Sequence, residues 1–181
     1  MPLSPSCLPG ETLAAQSYRR FPGGKGFNQS VALARAGANV AHAGAVGADG
    51  LWLRELHLQE GVETTFLQVV EAMTGQAIIQ VAPDGENAIL LNGAANMSIT
   101  EATGEAMVAA CRDDDRVLLQ NEISAMPAIM RAVAARGLPL IFNPAPMTAA
   151  VKEYPLEAVS LFIVNCVEIS QLVGEDEPRE Q

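Results

Sequence analysis

Histidine and cysteine are scarce in this chain, two of the first and three of the second in 181 residues. Cys7, Cys111 and Cys166 stand far apart and form no C-x-x-C. That excludes a disulfide framework and a zinc knuckle, and reads as separate thiols in a reducing, cytoplasmic compartment. His42 and His57 are isolated as well, so no cluster has metal-ligand spacing. Basic residues are outnumbered, 11 Lys and Arg against 21 Asp and Glu, for a net charge of −10. Such a balance opposes binding to a polyanion, and nucleic acid is not an expected partner. No uninterrupted apolar run approaches the ~18 to 20 residues that span a bilayer, so no membrane partner is expected. The opening MPLSPSCLPGE lacks the basic-then-apolar pattern of a signal peptide.

What is present is a globular composition, 49% apolar and only 18% charged, long enough for one domain with a real core. Its most informative stretch is FPGGKGFN, Phe21 to Asn28. Two glycines without β-carbons let a ligand approach the backbone at a helix start. The free amides of that start point at whatever docks there. Lys25 follows, and Asn28 adds a donor and an acceptor one turn in. The alanine-rich run QSVALARAGANV lets the helix sit close against a sheet. This arrangement suits a polyhydroxylated molecule or an anion. It is not a P-loop, because Gly26 follows Lys25 where that motif needs Ser or Thr, and it is not G-x-G-x-x-G. Taken alone, a Gly-Gly before a helix is as often a plain turn.

Along the chain, Thr12–Phe21 reads as a strand and Gly26–Ala36 as a helix ended by Gly37. Asn39–Gly47 reads as a buried strand and Leu51–Glu60 as a helix. From Gly75 the period changes to two, and strands at Gly75–Val81 and Ala88–Leu91 flank a turn at Pro83-Asp84-Gly85, a hairpin. After Ile99 helices alternate with the strands RVLLQ, PLIFN and VSLFIVN, and a last helix begins near Val167. The alternation predicts an α/β fold, a parallel sheet with crossover helices, to which the hairpin adds a small β-sheet. The tail GEDEPREQ is polar.

Ligands of open α/β sheets bind beyond the carboxyl ends of the strands. Asn121-Glu122, Asn143 and Asn165 stand at three such ends, with Glu168 three residues after Asn165. Each has a structural alternative: a helix cap, a turn before Pro144, or a capping-box partner for Glu168. Three in succession, together with the glycine-led helix, make a candidate site.

At these residues the sequence resembles the ribokinase-like (PfkB) carbohydrate kinases, most closely the ribokinase branch. The matching pieces run in family order: PGET from Pro9, GGKGFNQSVALARAGANV from Gly23, GAVGADG from Gly44, TGQAIIQV from Thr74, DGEN from Asp84, GAAN from Gly93, NPAP from Asn143, and Asn165-x-x-Glu168. The resemblance implies a ribokinase-like parallel-sheet sandwich with a small β lid. It implies one domain over residues 1–181, lid segments near 10–22 and 74–96, and an incomplete pattern at both ends. Gly23, Gly24, Lys25 and Asn28 would bind the sugar, and Glu122 would grip its hydroxyls. Ala77 and Leu91 would come from the lid, and Asn165 and Glu168 would lie near the phosphates. The implied cofactors are ATP, Mg2+ reached indirectly through Glu168, and a monovalent cation. The implied partners are a small sugar and a second copy of the chain paired through the lid.

The chain also departs from the family pattern. The usual first strand, with G-x-x-x-x-D, is not found in MPLSPSC. The G-x-G-D motif that carries the catalytic base does not occur, and the purine pocket belongs to the C-terminal nucleotide-binding part that the resemblance leaves unmatched. Trp52 replaces the glycine of G-x-D-x-x-G, leaving Asp49 as an expected turn or cap residue. Two functions follow. One is an ATP-dependent sugar kinase lineage, phosphorylating ribose or a similar sugar, with no catalytic base in the sequence as it stands. The other is a non-catalytic product that only binds sugar or a partner chain. A dehydrogenase-type nucleotide domain is disfavoured by the missing G-x-G-x-x-G. Strands without neighbours would leave unpaired sheet edges.

Overall fold

The computed structural model of the chain describes residues 10, 12, 14–82, 85 and 87–174. Cys7, Pro9, Glu11, Pro83, Asp84, Glu86 and the end of the polar tail lie outside them. The N-terminal part runs α1 (Lys25–Arg35), β1 (Gly44–Gly47), α2 (Leu51–Gln59) and β2 (Leu67–Val70). β2 lies parallel to β1, with Gly44 opposite Leu67. The hairpin follows as β3 (Gln76–Val81) and β4 (Asn87–Asn92), antiparallel and in register from Gln76↔Asn92 to Val81↔Asn87. The C-terminal part runs α3 (Glu101–Ala109), β5 (Val117–Gln120), α4 (Met126–Ala135), β6 (Leu140–Asn143), β7 (Leu161–Phe162) and α5 (Cys166–Val173). β5, β6 and β7 form a parallel sheet in that order.

The core gathers on α4 and β6. Met126, Ile129, Met130 and Val133 recur at helical spacing and are all buried, so one face of α4 is continuous apolar surface. That face meets Leu140 and Phe142 of β6, both fully buried, with Val108 of α3 and Val151 alongside. Pro127 in the first turn suits the helix start, where its missing N–H leaves nothing unpaired. Thr100 caps α3, accepting from the Thr103 amide at 3.1 Å. At the other end Arg136 donates to the carbonyls of Val108 and Ala109 in the last turn of α3 and of Cys111 just beyond it.

The expected alternation is present, with four differences. Among the described residues, Thr12–Phe21 carries no strand; Tyr18 and Phe21 are largely exposed and the backbone there has no ladder partner. The LQVV strand β2 does not stand out by alternation, and it forms because β1 offers it a parallel edge. VSLFIVN pairs only over Leu161 and Phe162, after which the Asn143 amide donates to the Ile163 carbonyl at 2.6 Å and a side chain replaces the ladder. The parallel strands make two separate sheets, β1–β2 and β5–β6–β7, so among the described residues both β1 and β5 have an unpaired edge.

α1 is seated on α2 by an aromatic stack. The ring of His57, 1% exposed, lies 4.3 Å from Phe27 and 4.3 Å from His42, centroid to centroid. His42 Nδ1 and Ser30 Oγ are 2.8 Å apart, joining the stack to α1. Among the described residues neither ring nitrogen of His57 has a hydrogen-bond partner. Burial, then the neighbouring His57, pushes His42 down to about 4, and burial also lowers His57. Both rings are therefore neutral at pH 7.

Two predictions follow from this packing. A β-carbon on Gly104 would lie 2.4 Å from Ile129 Cγ1, so Gly104→Ala forces α3 away from α4. We expect a loss of about 1–3 kcal/mol in urea unfolding, the usual cost of overpacking; an unchanged midpoint would show that Ile129 yields freely. The second concerns acid. A histidine with a depressed folded pKa contributes stability that is present above about 6.5 and is lost as pH falls through about 4. Asp49 and Glu60, both held low by hydrogen bonds, lose stability in the same direction. The difference between proteins isolates the histidine: His42→Gln should flatten the fall in Tm between pH 6.5 and 4, and parallel profiles would refute its part.

Candidate functional site

The start of α1 is shaped by Gly24, whose φ of 91° is a left-handed value that side-chain-bearing residues adopt at a cost. The helix begins at the next residue with no capping side chain of its own and no acid in its first turn. Glu122, two residues beyond β5, supplies both. Its Oε2 accepts from the Lys25 backbone N–H at 3.2 Å and its Oε1 from Lys25 Nζ at 2.7 Å. Gln120, the last residue of β5, donates from its side chain to Gln29 one turn further along α1.

A cavity of about 2990 Å3 opens in front of this junction. Gly23, Gly24, Asn28 and Glu122 line it, and so do Ala77 and Leu91 of the hairpin. Ala77 and Leu91 are directly opposite in the β3–β4 register and share one face, both exposed. The volume exceeds the roughly 300–1,000 Å3 of a small-molecule pocket because the unpaired edges of β1 and β5 border the same space. Six of the seven residues expected to bind substrate thus surround one cavity, and Lys25 is joined to it through Glu122.

The hairpin is fastened to the body at its foot. Asp49 Oδ1 accepts from the Thr74 N–H and from Thr74 Oγ1, both at 2.9 Å, and the Gly47 N–H donates to Thr74 Oγ1 at 3.0 Å. These bonds, the backbone one first, hold the Asp49 carboxyl below its ordinary pKa. Asp49 stands in a short 3-10 turn, Ala48–Gly50, as expected from the sequence, and its carboxylate also anchors the segment entering β3. Trp52 lies under the guanidinium of Arg20, 5.3 Å from ring centroid to Cζ, and Arg20 also reaches the Asp49 carbonyl at 3.5 Å. This contact, which sequence reasoning missed, ties the segment before Gly23 to the same anchor. The unusual Trp52 was its only signal.

The three strand-end asparagines have structural duties. Asn121 donates to the Pro146 carbonyl at 2.7 Å and accepts from the Tyr154 hydroxyl at 2.9 Å, which shapes the NPAP turn. Asn143 closes the end of the β6–β7 pair. Asn165 and Glu168 form a capping box on α5: Asn165 Oδ1 accepts from the Glu168 N–H at 2.8 Å, and Glu168 Oε2 from the Asn165 N–H at 3.0 Å. Neither residue lines the cavity. Among the described residues no three His, Cys, Asp or Glu are grouped to hold a metal, and no helix is long and apolar enough to cross a membrane.

The fold recurs in known proteins. A family model described as pfkB family carbohydrate kinase matches residues 2–181. A ribokinase of Haemophilus influenzae is 36% identical over 178 residues, covering 96% of this chain and 58% of the relative. A ribokinase of Staphylococcus aureus is 34% identical, covering 92% and 56%. The crystal structure of a Cryptococcus neoformans ribokinase in complex with ADP superposes with a TM-score of 0.80 at 37% identity, over 97% of this chain and 57% of that one. The Arabidopsis thaliana ribokinase complexed with ribose and ATP gives 0.76 at 30% identity, over 93% and 57%. The chain thus spans just over half the length of these relatives. With its glycine-led helix, carboxylate partner and hairpin in family order, the chain belongs to the pfkB family of carbohydrate kinases.

Proposed function

We propose that these residues form the sugar-binding part of an ATP-dependent sugar kinase acting on a hydroxyl of ribose or a similar small sugar. The observation that carries this is the convergence of Gly23, Gly24, Asn28, Glu122, Ala77 and Leu91 on one cavity. A carboxylate, an amide side chain and free helix-start amides read hydroxyl groups, and the hairpin supplies an apolar cover. In this reading residues 1–181 belong to one ribokinase-like domain, and 74–96 together with 10–22 form its lid. The described residues 14–22 border the same cavity. On the other hairpin face Ile78 and Leu90, a cross-strand pair flanked by Gln76 and Asn92 and by Gln80 and Ala88, are exposed and suit a second copy of the chain. Free Cys111 and Cys166 suit a cytoplasmic protein.

Asn165 and Glu168 stand apart from the sugar side, at the α5 start, where the family resemblance puts the phosphates. Glu168 commits Oε2 to the capping box and retains Oε1. One carboxylate oxygen fits a hydrated Mg2+ that arrives on the nucleotide, since this ion keeps several waters and leans on phosphate oxygens. When bound, the ion would neutralise developing phosphoryl charge; the capping box fixes where the carboxylate stands. A monovalent cation remains an inference from the family.

A second reading has its own observation. The 181 residues contain no Gly-x-Gly-Asp, the sequence that holds the base in the family resemblance. The polypeptide by itself is then a sugar binder without turnover. Sugar-dependent ADP release from the purified chain separates the two: none above blank supports the binder, and turnover within about a hundredfold of ordinary kinases, ~1–100 s⁻¹, supports a self-sufficient kinase.

Calorimetric titration with ribose tests the site itself. Asn28→Ala and Glu122→Ala should each weaken binding by roughly 1–3 kcal/mol, the worth of a hydrogen bond to a desolvated or charged group. Unchanged affinity in both would make the GGKGFN helix start purely structural.

A further inference from the structure

We infer that Glu122 is a positioning residue, which completes the N-terminus of α1 from the end of β5 and so sets the shape of the Gly23-Gly24 loop. The inference deepens the sugar-binding reading and rests on it for its consequence, though not for its geometry.

The observations are local and mutually consistent. An α-helix begins with amides that have no partner within the helix, and a carboxylate is the favoured group beside them. α1 has neither a capping side chain at Gly24 nor an acid in its first turn, because the GGKG sequence holds only glycines and a lysine there. The missing acceptor comes from 97 residues along the chain, where Glu122 takes the first helical N–H on one oxygen. Its other oxygen takes the Lys25 ammonium, so each carboxylate oxygen has a donor from the same residue. Two contacts from one residue, one of them backbone, fix orientation in a way that a single ion pair does not. Gln120 adds a tie from the same strand end to Gln29, on the next turn of α1. The pair is part-buried, with side-chain exposures of 38% for Lys25 and 23% for Glu122.

The consequence concerns division of labour. Gly23 and Gly24 can present their backbone to a sugar only if the helix behind them keeps its place. The open edge of β5 leaves the α1–β5 junction to side chains, since no strand ladder joins β5 to β1 among the described residues. Glu122 therefore acts on the sugar through the loop in addition to any hydroxyl it meets itself, and Lys25 is held at the rim.

Amide hydrogen exchange on the purified 181-residue chain, without ligand, tests this. Glu122→Ala should speed exchange in residues 21–30 by about tenfold, the loss of one net hydrogen bond to a charged group, while residues 76–92 keep their wild-type rates. Glu122→Gln retains an oxygen for the Lys25 N–H and should recover part of the protection. The reversed pair Lys25→Glu with Glu122→Lys should not, because the backbone N–H then faces an ammonium. Unchanged exchange in Glu122→Ala, or wild-type exchange in the reversed pair, would overturn the inference and leave a simple ion pair. If Glu122→Ala fails to fold, Lys25→Met removes one of the two contacts and should give a smaller rise confined to 21–30; no rise there would count against the inference equally. Ribose titration is a separate arm. Wild-type chain that does not bind ribose would overturn the sugar reading and leave the positioning role standing. Weakened ribose binding in Glu122→Ala with unchanged exchange would do the reverse.

Discussion

A helix that begins on glycine gains an approachable backbone and loses its own cap. That exchange governs the structure around α1. Gly24 permits the turn, but no side chain in the first turn satisfies the amides it exposes. The carboxylate that does so stands at the end of a strand in another sheet. Local sequence and tertiary contact meet here: the first helical N–H of α1 finds its acceptor at the end of β5.

The rest of the molecule arranges for β5 to end there. α4 and β6 make the apolar mass, with Met130, Val133, Leu140 and Phe142 fully enclosed. β5 is held to β6 along its whole length, from Val117↔Leu140 to Gln120↔Asn143. The rigid sheet thus delivers Gln120 and Glu122 to a defined point. On the other side the Phe27, His57 and His42 rings seat α1 on α2 with neutral imidazoles where aliphatic residues would ordinarily serve. α1 is thus gripped by the end of β5 on one side and by α2 on the other.

Much of this was legible in the residues. The periodicity of α4, the alternation of Gly75–Val81 and the GGKGFN start each depend on a few neighbouring positions, and each element appears where its pattern stands. Gly23, Asn28, Glu122, Ala77 and Leu91, expected together from family order, border one large open cavity. What escaped depends on distant partners. The strand expected over Thr12–Phe21 has suitable residues but no ladder among the described ones. β2 has an ordinary LQVV sequence and becomes a strand because β1 offers an edge. The Asp49 anchor could not be read from G-x-D, because its donor, Thr74, lies 25 residues away. The ambiguity of Asn165-x-x-Glu168 was real: the two side chains expected near the phosphates form a capping box, and spacing alone does not distinguish the two uses.

Among the described residues, the two strands of the hairpin pack against each other more than against any other element. The hairpin's two feet are crowded: a β-carbon on Gly75 would lie 2.9 Å from the Gly93 carbonyl and 2.9 Å from Asn96 Nδ2. Thr74, just before, is bolted to Asp49. Mechanically this is a lever with a short, stiff fulcrum and a long arm. Six extended residues reach about 20 Å from the foot, so a rotation of only ~10° at Thr74 and Gly93 sweeps the tip through about 3–4 Å. A displacement of one ångström at the fulcrum would be magnified toward the far end of the arm.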